Sequence, residues 1–309
     1  MKNQITIIVK KNDDDSRIDK WLKRKFSLLT QSYIENKLRR GLIKVNNKKV
    51  KSKYIVVCKD KVEINGFSEK ILKEKKIIKQ KKNISKYILE KFKRSIIFES
   101  FDFLIINKWF GISTQGVNKD DISVNDIIKY ISNEYNIVHR LDKETTGLLI
   151  ITKNYKSTKM FNTLFKEQQI EKFYLAICQG SPKNLSSTVN FNIKNKKNTK
   201  FLKTITKYKV IKKYHDLSLI FYKPLTGKTH QLRLLSKYLN SAIIGDSKYR
   251  INNNYIDEKL QLNAFCLKFI FKNKKYEFKG TFPQHIIKFL KKIKLKISNN
   301  ELNSLLESF

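Results

Sequence analysis

The stretch Ile137-Val-His-Arg-Leu-Asp-Lys-Glu-Thr-Thr-Gly-Leu-Leu-Ile150 sets an imidazole, two cations and two acids between apolar runs. Ile137-Val138 on one side and Leu148 to Ile151 on the other read as strand ends. The polar middle, His139-Arg140-Leu141-Asp142-Lys143, therefore falls at the rim of a sheet. A fragment of this kind is by itself as readily an ordinary surface turn as a working site. The rest of the chain decides how the fragment is read.

Toward the N-terminus the pattern predicts a small module over residues 1–65. Ser16-Arg-Ile-Asp19 reads as a helix start, a Ser with an acid three residues on, followed by Ile18, Trp21, Leu22 and Phe26 on one face. Ser32-Tyr-Ile-Glu35 reads as a second start, with Ile34 and Leu38 inward and Gly41 as the cap. Leu42 to Val50 alternates around Asn46-Asn47 as a hairpin does, and Tyr54 to Ile64 predicts a strand pair turning at Lys59-Asp60-Lys61. Residues 66–94, with lysines from Lys70 to Lys82, read as a basic linker that is partly helical between Ile84 and Phe92.

A second domain is predicted over 95–290. It opens with strands at Ser95 to Glu99 and Phe103 to Asn107 and includes a helix from Thr158 to Gln169, with Phe161, Leu164 and Phe165 on one face. Residues 291–309 read as a peripheral C-terminal tail. No internal repeat is apparent, and the class is α+β: a small αα-plus-sheet domain followed by a mixed or antiparallel sheet.

Charge narrows the partners. The 309 residues carry 66 Lys and Arg against 27 Asp and Glu, a formal +39, which is more than solubility asks for. A polyanion is one reading. The other is a genome that favours Lys, Asn and Ile codons. Cys58, Cys178 and Cys266 lie far apart and without His at metal-site spacing, so reduced structural thiols are expected. Neither a signal peptide nor an apolar run near the ~18 residues of a membrane span is visible. A cytoplasmic protein with no membrane partner is the expectation. Only nine glycines occur; Gly111, Gly147, Gly227 and Gly245 fall in the segments discussed next, and Gly116 lies just past one of them. Each is expected where a side chain would clash or where positive φ is needed.

His139-Arg-Leu-Asp-Lys-Glu-Thr-Thr-Gly-Leu-Leu149 resembles the H-R-L-D-x-x-T-S-G-L-L signature of the RluA-type RNA pseudouridine synthases, with Thr146 in place of the commoner Ser. Protein kinases have no Leu between Arg and Asp, and this chain lacks their glycine-rich loop and Asp-Phe-Gly. Four further stretches are similar to the same family, in its order: Ile106-Asn-Lys-Trp-Phe-Gly111, Lys172-Phe-Tyr-Leu-Ala176, Gly227-Lys-Thr-His-Gln-Leu-Arg233 and Ile244-Gly-Asp-Ser-Lys-Tyr249. The N-terminal order R-I-D-x-x-L, then L-R-x-G-x-I-x-V-N, then K-x-V resembles the S-four-type RNA-binding domain.

The resemblance implies a cofactor-free isomerase acting as a monomer on RNA, in the style of the RluC-type enzymes of large-subunit ribosomal RNA. Asp142 would attack or deprotonate the target nucleotide. Arg233 would grip Asp142 through two-point pairing and hold it charged, and Tyr174 would stack on the uracil or take its C5 proton. Arg140 would fill the gap left by an extruded base. Lys228, and Lys37, Arg39, Arg40 and Lys44 of the first domain, would meet phosphates, although the first-domain cations are equally an ordinary solvated face. No proton-transfer role is read for His139 or His230. Trp109, Lys228, Leu235 and Asn263 depart from the usual Pro, Arg, His and His. The main rival is a non-catalytic RNA-binding ribosome-assembly factor on a degenerate synthase fold. A deaminase would need zinc ligands that this sequence lacks.

Overall fold

Trp21, Leu22, Ile34 and Leu38 recur at helical spacing, and the computed structural model buries all four. It describes residues 4–13, 15–26, 29–66, 83–116, 121–194, 201–252 and 254–309, and the chain divides into two units, Met1–Asn83 and Ile84–Phe309. The first unit runs β1 (Gln4–Ile8), β2 (Ser16–Arg17), α1 (Ile18–Lys25), α2 (Gln31–Arg39), β3 (Ile43–Val45), β4 (Lys48–Lys49), β5 (Ile55–Val56) and β6 (Lys61–Asn65). Both helices close over an antiparallel sheet of order β1-β6-β3-β4, from which Ile43, Val45, Val62 and Ile64 complete the core.

Local details of this unit depart from the sequence reading. Ser16 does not cap α1. The N-cap is Arg17, without a side-chain bond, and the Ser16 hydroxyl donates to Asp13 O and accepts from Arg24. Asp19, 1 % exposed, is held instead by Arg17 and Gln31. Helix α2 begins before Ser32, with the Thr30 hydroxyl accepting the Tyr33 N–H. Asn46 and Asn47 both take positive φ, as a two-residue hairpin turn requires. Tyr54 to Ile64 does not fold on itself: β5 pairs with β2, and β6 lies between β1 and β3, where Val62 and Ile64 can be buried.

The second unit runs α3 (Lys86–Ser95), β7 (Ile96–Glu99), β8 (Phe103–Lys108), α4 (Val124–Ile131), β9 (Asn136–Ile137), β10 (Thr146–Thr152), α5 (Tyr155–Lys166), β11 (Glu171–Gln179), β12 (Ser186–Lys194), β13 (Phe201–Tyr214), β14 (Leu217–Pro224), α6 (Gln231–Tyr238), β15 (Ala242–Ile243), β16 (Leu262–Phe271), β17 (Lys274–Lys279), α7 (Gln284–Lys292) and α8 (Asn299–Glu307). One 11-stranded sheet follows the path β12-β13-β14-β11-β16-β10-β8-β7. Among the described strands only β10 and β16 pair in parallel, at Thr146–Asn263 and Gly147–Ala264. The sheet is mixed and the class α+β.

Both faces of the central strands are covered, which is why β10 and β14 are buried along their whole length. On β11, Phe173, Leu175 and Ile177 face α7 and α8, whereas Ala176 and Cys178 face Leu232 and Leu235 of α6. Two boundaries move. Helix α3 belongs to the second unit and not to a linker, because Phe92 is buried with Leu104 and Ile106; the lysines of residues 67–82 lie outside the described residues. The segment 291–309 is not a peripheral tail: Leu302, Leu305 and Leu306 are buried against the sheet. Spaced three and four apart, they form one apolar helical face.

Candidate active site

The loop between β9 and β10 carries His139 to Glu144 and is fixed from both sides. The Thr114 hydroxyl donates to Leu141 O at 2.7 Å and accepts the Leu141 N–H at 3.0 Å. The Gly111 N–H donates to Lys143 O at 3.1 Å, and the Lys108 ammonium donates to Trp109 O, Ile112 O and Lys143 O at 3.3, 3.0 and 3.3 Å. Lys108 is 1 % exposed. Burial pushes its ammonium down to about 7, against the pull of the Asp142 charge. His139 Nε2 accepts the Ile150 N–H at 2.9 Å, and its ring stacks on Phe165 at 4.7 Å. Burial, with Lys172 adding to it, takes that imidazole down to about 3. His139 is therefore a neutral staple between loop and strand.

Gly147 closes the loop onto β10. Its φ of +110° and the backbone of Ala264, which a Cβ would meet at 2.3 Å, both demand glycine. Gly227 meets neither expectation, since its φ is ordinary and the space around it is open.

Arg233 sits in the first turn of α6, 3 % exposed. The turn before it is set by Gln231, whose Oε1 accepts from Thr226 Oγ1 and the Lys228 N–H while its Nε2 donates to Thr206 Oγ1. His230, at φ +55°, is the N-cap. The expected two-point pairing of Arg233 with Asp142 is absent. Nε and Nη2 donate to the two carboxylate oxygens of Asp246, each at 2.7 Å. Nη1 faces Asp142 Oδ2 at 3.6 Å, and Nη2 lies 3.8 Å from Glu144. Buried Asp246 takes the Nε–Nη2 edge, which leaves only Nη1 directed at Asp142. Burial alone would raise the Asp246 carboxyl; hydrogen bonds from Arg233 and from the Lys248 and Tyr249 N–H groups hold it below its ordinary value.

Two more groups complete the surroundings of Asp142. His230 Nε2 is 3.8 Å from Asp142 Oδ1, and its Nδ1 shares a hydrogen bond with the Tyr249 hydroxyl at 2.9 Å. Tyr174 stands on β11, on the face opposite Phe173 and Leu175. Burial first, and then the Asp142 charge, raise its phenol above the usual range, so it stays protonated.

Asp142, Tyr174 and Arg233 line one cleft of about 510 Å³, together with Arg140 and Lys228. Arg140 and Lys228 are exposed there. Lys37, Arg39, Arg40 and Lys44 belong to the first unit, and each is described within it. Lys37 donates to Gly66 O at 3.2 Å and lies over the Tyr33 ring, Arg39 and Arg40 are exposed at the end of α2, and Lys44 is half-buried on β3.

The sequence reading did not find the roles of Asp246 and Lys108, although both lie inside quoted motifs. An acid beside a glycine and a lysine ending an apolar strand were the available signals. Of the departures, Leu235 is core, and buried Asn263 donates to Thr146 Oγ1 at 2.9 Å.

Residues 102–238 match the family described as RNA pseudouridylate synthase. A Rickettsia bellii protein named ribosomal large subunit pseudouridine synthase C is 38% identical over 253 residues, covering 76% of this chain and 82% of the relative. A Borreliella burgdorferi protein named ribosomal large subunit pseudouridine synthase D is 29% identical over 316 residues, covering 94% of this chain and 93% of its own length. Among solved structures, human RNA pseudouridylate synthase domain containing 4 superposes with a TM-score of 0.61 at 22% identity, covering 69% of this chain and 98% of that one. That likeness concerns the fold.

Proposed function

Since this chain belongs to the RNA pseudouridine synthase family, and is thus an isomerase turning uridine into pseudouridine, we propose that its substrate is large-subunit ribosomal RNA and its essential group Asp142. The observation that carries the residue assignment is the convergence of Asp142, Tyr174 and Arg233 on one cleft from three distant segments. The names of the relatives support the RNA.

In the reaction the bond between uracil N1 and ribose C1′ breaks, the base turns, C5 bonds to C1′, and the C5 proton is given up while N1 gains one. Asp142, with Arg233 Nη1 at 3.6 Å, is the carboxylate that acts on the nucleotide as nucleophile or base. Tyr174, held protonated, offers a ring face for the uracil; it is not a ready acceptor of the C5 proton. Extruding the nucleotide costs ~a few kcal/mol, and Arg140, exposed at the cleft, is placed to enter the vacated stack. The first unit, with two helices over a small basic sheet, acts as an S-four-type RNA-holding module. The protein works in the cytoplasm.

Mapping pseudouridines in RNA from cells lacking the protein, with wild-type or Asp142→Asn restored, tests the proposal. Sites that return only with the wild type are expected in large-subunit RNA. Sites that return equally with Asp142→Asn would remove the essential role of Asp142 and leave the non-catalytic assembly factor as the reading.

A further inference from the structure

Lys172 precedes Tyr174 by two residues on β11, so the two side chains leave the strand on the same face, and both line the cleft. The neighbouring side chain, Phe173, points into the opposite core. Lys172 is half-buried, and among the described residues no carboxylate or carbonyl receives its ammonium. Two observations agree on this isolation. Burial alone lowers its pKa, with no acid countering it, and its charge is felt by His139 across the loop.

The same contrast holds for the whole cleft. Its wall carries five cations, Arg140, Lys166, Lys172, Lys228 and Arg233, against a single carboxylate, Asp142. Arg233 is neutralised by Asp246, whereas among the described residues Lys172 has no carboxylate within ion-pair distance. An ammonium drawn out of water without an anion destabilises the empty protein. Such a group is retained where the ligand brings the missing charge.

We infer that Lys172 is a substrate-binding residue that takes a phosphodiester oxygen of the RNA next to the nucleotide whose uracil lies on Tyr174. Rings of bases carry no net charge, and a uracil carbonyl is a weaker partner for an ammonium than a phosphate oxygen. Phosphate contact at this point fixes the depth and direction of the extruded nucleotide, with Tyr174 setting the plane of its base. The inference rests on the cleft being the RNA site.

The test uses the full-length protein and an unmodified transcript of the cell's own large-subunit ribosomal RNA, with Lys172→Gln and Lys172→Arg. For Lys172→Gln, KM should rise about tenfold with kcat within twofold. The plot of log affinity against log salt, measured by direct binding, should flatten by about one unit. Lys172→Arg should restore most of both. Because glutamine removes an unpaired buried charge, Tm should hold or rise. Unchanged KM and salt slope would overturn the inference, as would a fall confined to kcat, or a drop in Tm that accounts for the loss. If the wild type forms no pseudouridine on the transcript, the functional reading fails, while the binding slope still reports on Lys172 separately.

Discussion

Arg233 gives its Nε–Nη2 edge to Asp246, at 2.7 Å on both nitrogens, and turns Nη1 toward Asp142, at 3.6 Å. The buried pair thus acts as an aiming device: Asp246 fixes the guanidinium, and the guanidinium faces Asp142 without consuming its oxygens.

Asp246→Asn should therefore cost both stability and turnover. Removing one partner of a buried ion pair typically destabilises by ~3–5 kcal/mol, which urea unfolding would register, and pseudouridine formation should drop at least tenfold. Arg233→Lys, which keeps a charge but not the fork, should abolish most turnover while RNA binding survives. Wild-type turnover in either variant would mean that Asp142 is not oriented through this pair.

Lys108 should behave as a clamp on the same loop. Lys108→Met withdraws the donor from Trp109 O, Ile112 O and Lys143 O. Part of that loss is offset by removing a buried charge, and a net destabilisation of about 3 kcal/mol is expected. Turnover should fall further than RNA affinity, because the loop after Asp142 loses its anchor. Equal unfolding midpoints and equal turnover would sink this assignment.

A pH effect follows from His139. Its imidazole titrates near 3 in the fold and near 6.5 when free, so between these values the unfolded chain binds the extra proton. The stability tied to the neutral ring is complete above about pH 6.5 and is lost as pH falls toward 3. Urea midpoints of wild type and His139→Leu, measured at pH 7 and pH 4.5, should show a steeper decline in the wild type. Parallel declines would contradict the staple.

The first unit should contribute affinity without chemistry. Protein lacking residues 1–83 should bind the ribosomal transcript at least tenfold more weakly and with a shallower salt slope, while its thermal transition, reporting the large sheet, persists. Undiminished affinity would remove the RNA-holding role of Lys37, Arg39, Arg40 and Lys44.

What could be read from the chain beforehand was whatever repeats with the period of a local structure. The inward faces of α1 and α2 followed from the spacing of Trp21, Leu22, Ile34 and Leu38, whereas Tyr174 was marked only by the resemblance of Lys172-Phe-Tyr-Leu-Ala176 to a family motif. The partner of Arg233 could not be read that way. Asp246 lies 13 residues away, and it is held under the guanidinium by the Lys248 and Tyr249 N–H groups, an arrangement that spacing does not encode. The cap of α1 failed for a similar reason: Ser16 is drawn into pairing with Val56, a contact 40 residues away that local spacing does not encode. The error at 291–309 was different. Ser298 and Glu301 form a capping box ahead of Leu302, Leu305 and Leu306, a signal that was present and overlooked.

The parallel junction of β10 and β16 bears on how the protein comes into being. The Asn263 amide reaches Thr146 across 117 residues of chain, and the loop bearing Asp142 leads directly into that strand. Contacts of such span close late, after local helices and hairpins have formed. On dilution from urea, far-ultraviolet ellipticity should recover first and pseudouridine formation last. A ribosome still emitting residue 200 would hold every atom of Asp142 and of β10 but none of Arg233, Asp246 or β16, so the enzyme is silent until nearly all of it has been made.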